Sequence, residues 1–155
     1  MNYLLIVSLA VYCSATKVNQ CADGNIENLD DNVSLGECTT PPCKLKKNTT
    51  VPIKIKFVAE DEYKDLILVV NAKVAGLDLP FVGVDGTTAC DKIFEEDEDT
   101  KNECKFVKGN TYVFKDAIEI LQIYPKVKTV VHWSITDNST GKHAVCFEVP
   151  AAIVN

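Results

Sequence analysis

Apolar and polar positions alternate with period two along much of the chain. Val51, Ile53, Ile55 and Phe57 fall on one side of an extended segment while Lys54 and Lys56 fall on the other. This pattern predicts a strand with one buried and one wet face. Leu66 to Ala75 is more continuously apolar and predicts a second strand, and Leu77 to Val82 a short one after the break at Gly76. Gly83 and Gly86 then punctuate a loop. Thr111 to Ile123 opens with Tyr112, Val113 and Phe114, which favour a strand, and Pro125 stops it. The clearest strand alternates Val127, Thr129, Val131, Trp133 and Ile135 with Lys128, Val130, His132, Ser134 and Thr136. Asp137 to Gly141 (DNSTG) supplies turn chemistry and His143 to Val149 returns, so the last two strands form a hairpin. No stretch keeps a helical period. Roughly six to eight strands with turn-rich connections predict one all-β domain, a two-sheet β-sandwich over residues 16–155.

The first fifteen residues, MNYLLIVSLAVYCSA, break this pattern. They form an apolar and small-residue stretch ending at Ser14 and Ala15, which predicts a secretory signal peptide cleaved before Thr16. The run from Tyr3 to Cys13 is too short to span a bilayer comfortably. Secretion changes the reading of the seven cysteines. Cys13 leaves with the leader, and Cys21, Cys38, Cys43, Cys90, Cys104 and Cys146 remain as an even set in an oxidising route, which predicts three disulfides. A zinc site is the rival, but paired C-x-x-C knuckles are missing and His132 and His143 stand at no ligand-like interval from the cysteines, so no metal is expected. Asn32, Asn48 and Asn138 open N-x-S/T triplets and are glycosylation candidates in exposed loops.

A net charge of −6 argues against nucleic acid and anionic surfaces as partners, because phosphates demand concentrated positive charge. Part of the acidity sits in one interval, DKIFEEDEDTKNE at 91–103. It reads as a solvated loop; a calcium site would need the glycine and alternating ligands that it lacks. Catalysis has little to build on. There is no G-x-S-x-G, no H-E-x-x-H and no phosphate-cradling glycine loop. His132 and His143 are expected to face each other across the terminal hairpin without an acid partner, in structural roles. No catalytic residue and no cofactor is predicted.

The six cysteines and a series of short motifs carry a resemblance. These are Cys38-x4-Cys43 with Pro42, Leu79-Pro80-Phe81, Cys104 followed by Lys108-Gly109 and Tyr112, Tyr124-Pro125, Val130-Val131-His132-Trp133, and Cys146-Phe147-Glu148-Val149-Pro150. In their order and spacing from Cys21 to Val154 they resemble an ML (lipid-recognition) domain, most closely the arthropod-type members of the Niemann-Pick type C protein 2 family. The resemblance implies an immunoglobulin-like sandwich with the pairs Cys21–Cys146, Cys38–Cys43 and Cys90–Cys104. It implies a monomeric carrier, extracellular or in the endolysosomal lumen, that holds a fatty acid, sterol or semiochemical-like lipid between its sheets. A receptor or membrane protein is an expected partner, and a lipid-sensing module of innate immunity is the alternative.

By position, the resemblance assigns the pocket to Leu35, Val51, Ile53, Val74, Leu79, Phe81, Phe114, Ile120, Tyr124, Pro125, Val127, Val131, Trp133, Phe147 and Val149. Phe81, Ile120 and Tyr124 match the entrance and neck. Each of these residues would also serve as plain core, since alternation alone turns apolar side chains inward. Two departures stand out: Phe147 replaces a tryptophan common in vertebrate members, and the 91–103 interval is long and lies near the family's pocket region.

Overall fold

A computed structural model describes residues 14–24 and 26–155. The expected leader, including Cys13, lies outside the described residues up to position 13. Among the described residues no helix is long and apolar enough to cross a membrane, and helix is confined to two short 3-10 turns, Leu29–Asp31 and Cys90–Lys92.

Ten strands among the described residues build two sheets: β1 Asn19–Gln20, β2 Val33–Leu35, β3 Cys43–Lys46, β4 Thr49–Val58, β5 Leu66–Val74, β6 Leu77–Pro80, β7 Ile93–Glu95, β8 Thr111–Ile120, β9 Lys128–Asp137 and β10 His143–Val154. One sheet runs β1-β10-β9-β5-β6, with β3 added parallel to the second half of β10; the other runs β2-β4-β8-β7. The sequence alternation is what holds the two layers together. Ile53, Ile55 and Phe57 of β4 are buried and face the layer that carries buried Val131, Trp133 and Ile135 of β9, so the apolar faces meet and the lysines remain outside.

Local chemistry fixes the connections. Ala75 (φ 51°) and Gly76 (φ 79°) are both left-handed between the paired residues Val74 and Leu77. A two-residue turn of this kind matches the twist of a hairpin, so the break at Gly76 is a turn and β6 folds back on β5. The strand read from Thr111 ends at Ile120, and β9 begins at Lys128 rather than Val127. The disulfides are Cys21–Cys146, Cys38–Cys43 and Cys90–Cys104. In the loop-entropy account, the long Cys21–Cys146 tie, across 125 positions, is worth roughly 4–5 kcal/mol.

Two expectations are corrected. The register pairs His132 with Glu148 and His143 with Thr136, so the histidines do not face each other, and each has a carboxylate nearby. His132 Nδ1 lies 3.7 Å from Glu148 Oε1 and His143 Nε2 lies 3.5 Å from Asp23 Oδ2. The acidic interval is not a free loop. It folds into a hairpin in which β7 pairs with β8, Phe94 bridges Lys101, and the Glu95 N–H donates to the Thr100 carbonyl at 2.8 Å. The Asp97 carboxylate closes the tip by accepting the N–H groups of Asp99 and Thr100, both at 2.9 Å.

Candidate functional site

The middle of the sandwich is closed but not completely filled. A void of about 20 Å³ is bordered by Leu35, Ile53, Ile118 and Ile120 from one sheet and by Leu45, Val70, Val131, Trp133, Phe147 and Val149 from the other, with Phe81 at its end. That is room for about one water. Apart from the Trp133 indole, every bordering side chain is a hydrocarbon.

Phe81 separates this void from a second apolar pocket of about 30 Å³, formed by Ala72, Val74, Leu79, Pro80, Tyr124, Pro125 and Ile153 together with Phe81 itself. The segment after β6 holds Phe81 in place. Its N–H donates to the Val70 carbonyl at 3.0 Å, its own carbonyl accepts from Val84 and Asp85, and the Asp85 carboxylate accepts the Val70 N–H at 2.8 Å. The Phe81 ring is 4% exposed and meets Tyr124 edge-on. The Tyr124 hydroxyl accepts the Val82 N–H at 2.9 Å, and burial pushes that hydroxyl above its ordinary pKa, so it is neutral at physiological pH. Leu79, Val82 and Ile123 are exposed apolar side chains on the segments that supply Phe81 and Tyr124.

Of the residues assigned from sequence, Leu35, Ile53, Phe81, Ile120, Val131, Trp133, Phe147 and Val149 border the inner void. Val74, Leu79, Tyr124 and Pro125 join Phe81 around the outer pocket. Three stand apart: Val51 borders a surface groove, Phe114 is core with its ring tilted at 60° to Trp133 and centroids 6.1 Å apart, and Val127 packs against the core edge. The structure adds Leu45, Val70 and Ile118 to the inner void. Ile118 was legible as an inward position two residues before Ile120, while Val70 lies in the continuously apolar run from Leu66 to Ala75, where the sequence does not mark which face turns inward. Leu45 was not legible, because its strand is four residues long and joins the sheet through a parallel pairing across the chain.

A broad groove of about 770 Å³ lies outside, between the Cys38–Cys43 loop and β4. Glu37, Thr39, Thr40, Lys44 and Thr50 share its lining with Leu35 and Leu45, which also border the inner void from the other side. His132 approaches Cys21 Sγ at 3.9 Å and Cys146 Sγ at 3.8 Å, but those sulfurs form a disulfide and are not thiolate ligands or nucleophiles.

The model of the ML domain matches residues 15–153, nearly the whole chain. The chain belongs to the ML-domain family. It is 30% identical to the NPC intracellular cholesterol transporter 2 homolog a of Drosophila melanogaster, over 99% of both chains. It is 25% identical to the NPC intracellular cholesterol transporter 2 of Danio rerio, over 98% of this chain and 95% of that one. The crystal structure of a Niemann-Pick type C2 protein from Japanese carpenter ant superposes with a TM-score of 0.64 at 14% identity, covering 92% of this chain and 96% of the other, a likeness of fold.

Within this ML domain the acidic hairpin does not border either apolar pocket. It covers the outer face of the four-stranded sheet, where Glu98 pairs with Lys54 at 2.8 Å and Glu96 with Lys56 at 3.7 Å. The Lys115 ammonium sits 4.1 Å from the centre of the Phe94 ring. Phe147 is 2% exposed and borders the inner void, so the aromatic at that position belongs to the cavity wall.

Proposed function

We propose that this ML domain is a secreted, monomeric carrier of one apolar molecule, a sterol, fatty acid or related lipid, rather than an enzyme. The observation that carries the reading is the pair of apolar pockets divided by the Phe81 ring between two sheets of an ML domain. The family relatives named as cholesterol transporters support the ligand class. Three disulfides and an apolar leader-like segment support delivery through an oxidising route to the exterior or to an endolysosomal lumen, where a receptor or membrane protein would receive the lipid.

Voids of about 20 and 30 Å³ are far below the roughly 300–1,000 Å³ of a small-molecule site. Loading therefore requires the sheets to part. The physics permits it, because contacts among hydrocarbon side chains are non-directional and a greasy guest replaces them in kind. About sixteen buried methylenes, the scale of a long fatty-acyl chain or a sterol, supply roughly 13 kcal/mol gross at about 0.8 kcal/mol each. Ordering and immobilisation remove several kcal/mol, which leaves micromolar affinity.

Displacement of a fluorescent fatty acid and a fluorescent sterol from the refolded protein tests the proposal. Saturable binding in the micromolar range is expected, and no binding of either probe up to about tens of micromolar would remove the carrier reading.

A further inference from the structure

Trp133 is 2% exposed, and its Nε1–H has no hydrogen-bond partner among the described residues. Buried indole N–H groups ordinarily find one, because leaving a donor unpaired in a low-dielectric interior is unfavourable. A water is a poor partner here. It needs two to four polar neighbours, and Trp133 is the only residue bordering the inner void whose side chain carries a polar atom. On β9 Trp133 stands between Val70 of β5 and Phe147 of β10, which have no side-chain acceptor to offer.

We infer that the Trp133 N–H is the polar anchor of the cavity and selects a neutral lipid bearing one acceptor oxygen, such as a ketone, ester or alcohol. The inference rests on the carrier reading and narrows its ligand class. Indole is a donor only, so it complements an acceptor. The acceptor is uncharged because no Lys, Arg or His borders the void to pair with a buried carboxylate, and one neutral donor does not replace the hydration of an anion. Nε1 is buried, so the bond forms only when the sheets part around a guest.

Trp133 is the sole tryptophan of the chain, so indole signals report on this one group. Protein labelled at the indole nitrogen is titrated with dodecane, methyl decyl ketone and dodecanoate. The ketone is expected to move the indole Hε1 resonance downfield while dodecane and dodecanoate bind without that shift. Trp133→Phe is expected to weaken the ketone about tenfold more than it changes dodecane, because the lost wall contacts are common to both ligands and the lost N–H is not. Equal losses for ketone and dodecane, or no ketone-specific shift in the wild-type protein, overturn the anchor and leave the carrier intact. A downfield shift with dodecanoate overturns the restriction to neutral lipids. If none of the three binds the wild-type protein, the carrier reading itself fails. The shift is read on the unmutated chain, so the inference stays testable even if the Phe variant folds poorly.

Discussion

The Phe81 and Tyr124 rings meet edge to face, with centroids 5.4 Å apart and planes at 69°. They come from different connections, the one after β6 and the one between β8 and β9, so the contact ties two segments that must separate if the pocket opens beside them. The hydrogen bond from the Val82 N–H to the Tyr124 hydroxyl adds a directional clasp. Tyr124→Phe keeps the ring and removes the clasp. Val82 is exposed, so water takes over its N–H and stability should fall by less than about 1 kcal/mol. Stopped-flow measurement with a fluorescent lipid is expected to show faster loading and faster release with a smaller change in Kd. Unchanged rates would take Tyr124 out of the gate.

Filling the inner void should abolish binding without unfolding the protein. Val149 is 2% exposed and borders the void, and Val149→Phe pushes a ring into a space of about 20 Å³. Overpacking of this kind costs about 1–3 kcal/mol, within what a tied sandwich tolerates. The expected result is a native circular dichroism spectrum with lipid affinity reduced at least tenfold. Wild-type affinity in this variant would move the ligand to another surface, such as the groove beside Lys44.

The acidic hairpin answers a local electrostatic conflict. Lys54 on β4 and Lys115 on β8 are directly opposed in register, and like charges so placed repel. Glu98 stands over both, its carboxylate on Lys54 and its main-chain carbonyl on Lys115. Glu98→Ala removes the carboxylate but keeps the carbonyl. The pair is partly exposed, so the loss is expected to be below about 1 kcal/mol and to shrink in high salt. Lipid affinity should not change, since the hairpin borders neither apolar pocket.

Where the sequence alternates cleanly, the fold was legible in it. The inward faces of β4 and β9 follow directly from Ile53, Ile55, Phe57 and from Val131, Trp133, Ile135, because a period of two leaves only the choice of which face is buried. Leu45 and the parallel pairing of β3 were hidden because a four-residue strand has too few positions to show a period and its partner lies over a hundred residues away. The acidic interval misled for a different reason. Charge density alone predicts extension, but the lysines that neutralise it lie on β4 and β8, out of sight of any local window. Likewise the Glu148 partner of His132 depends on register, which depends in turn on the length of the turn after Asp137.

Asp137 contributes to the acid limit of the fold. It is 1% exposed, yet its carboxylate accepts the Lys64 N–H at 3.2 Å, the Ser139 N–H at 2.9 Å and the Ser139 hydroxyl at 2.6 Å, joining the segment before β5 to the turn between β9 and β10. Burial by itself would raise its pKa, but the hydrogen bonds from Ser139, Lys64 and Thr140 outweigh burial and hold the carboxyl below its ordinary value. A carboxyl whose folded pKa is depressed binds its proton more readily in the unfolded chain. Its contribution is therefore complete above the unfolded value of about 3.9 and is lost as pH falls through the lower folded value. Asp137→Asn, which keeps the shape and removes the charge, is expected to cost about 1–3 kcal/mol in urea unfolding at neutral pH. The gap to the wild-type protein should be the same at about pH 5, the acidity of an endolysosomal lumen, and should close only below about pH 4. A gap that stays constant from about pH 5 down to about pH 2 would show that the carboxylate is not what those donors stabilise.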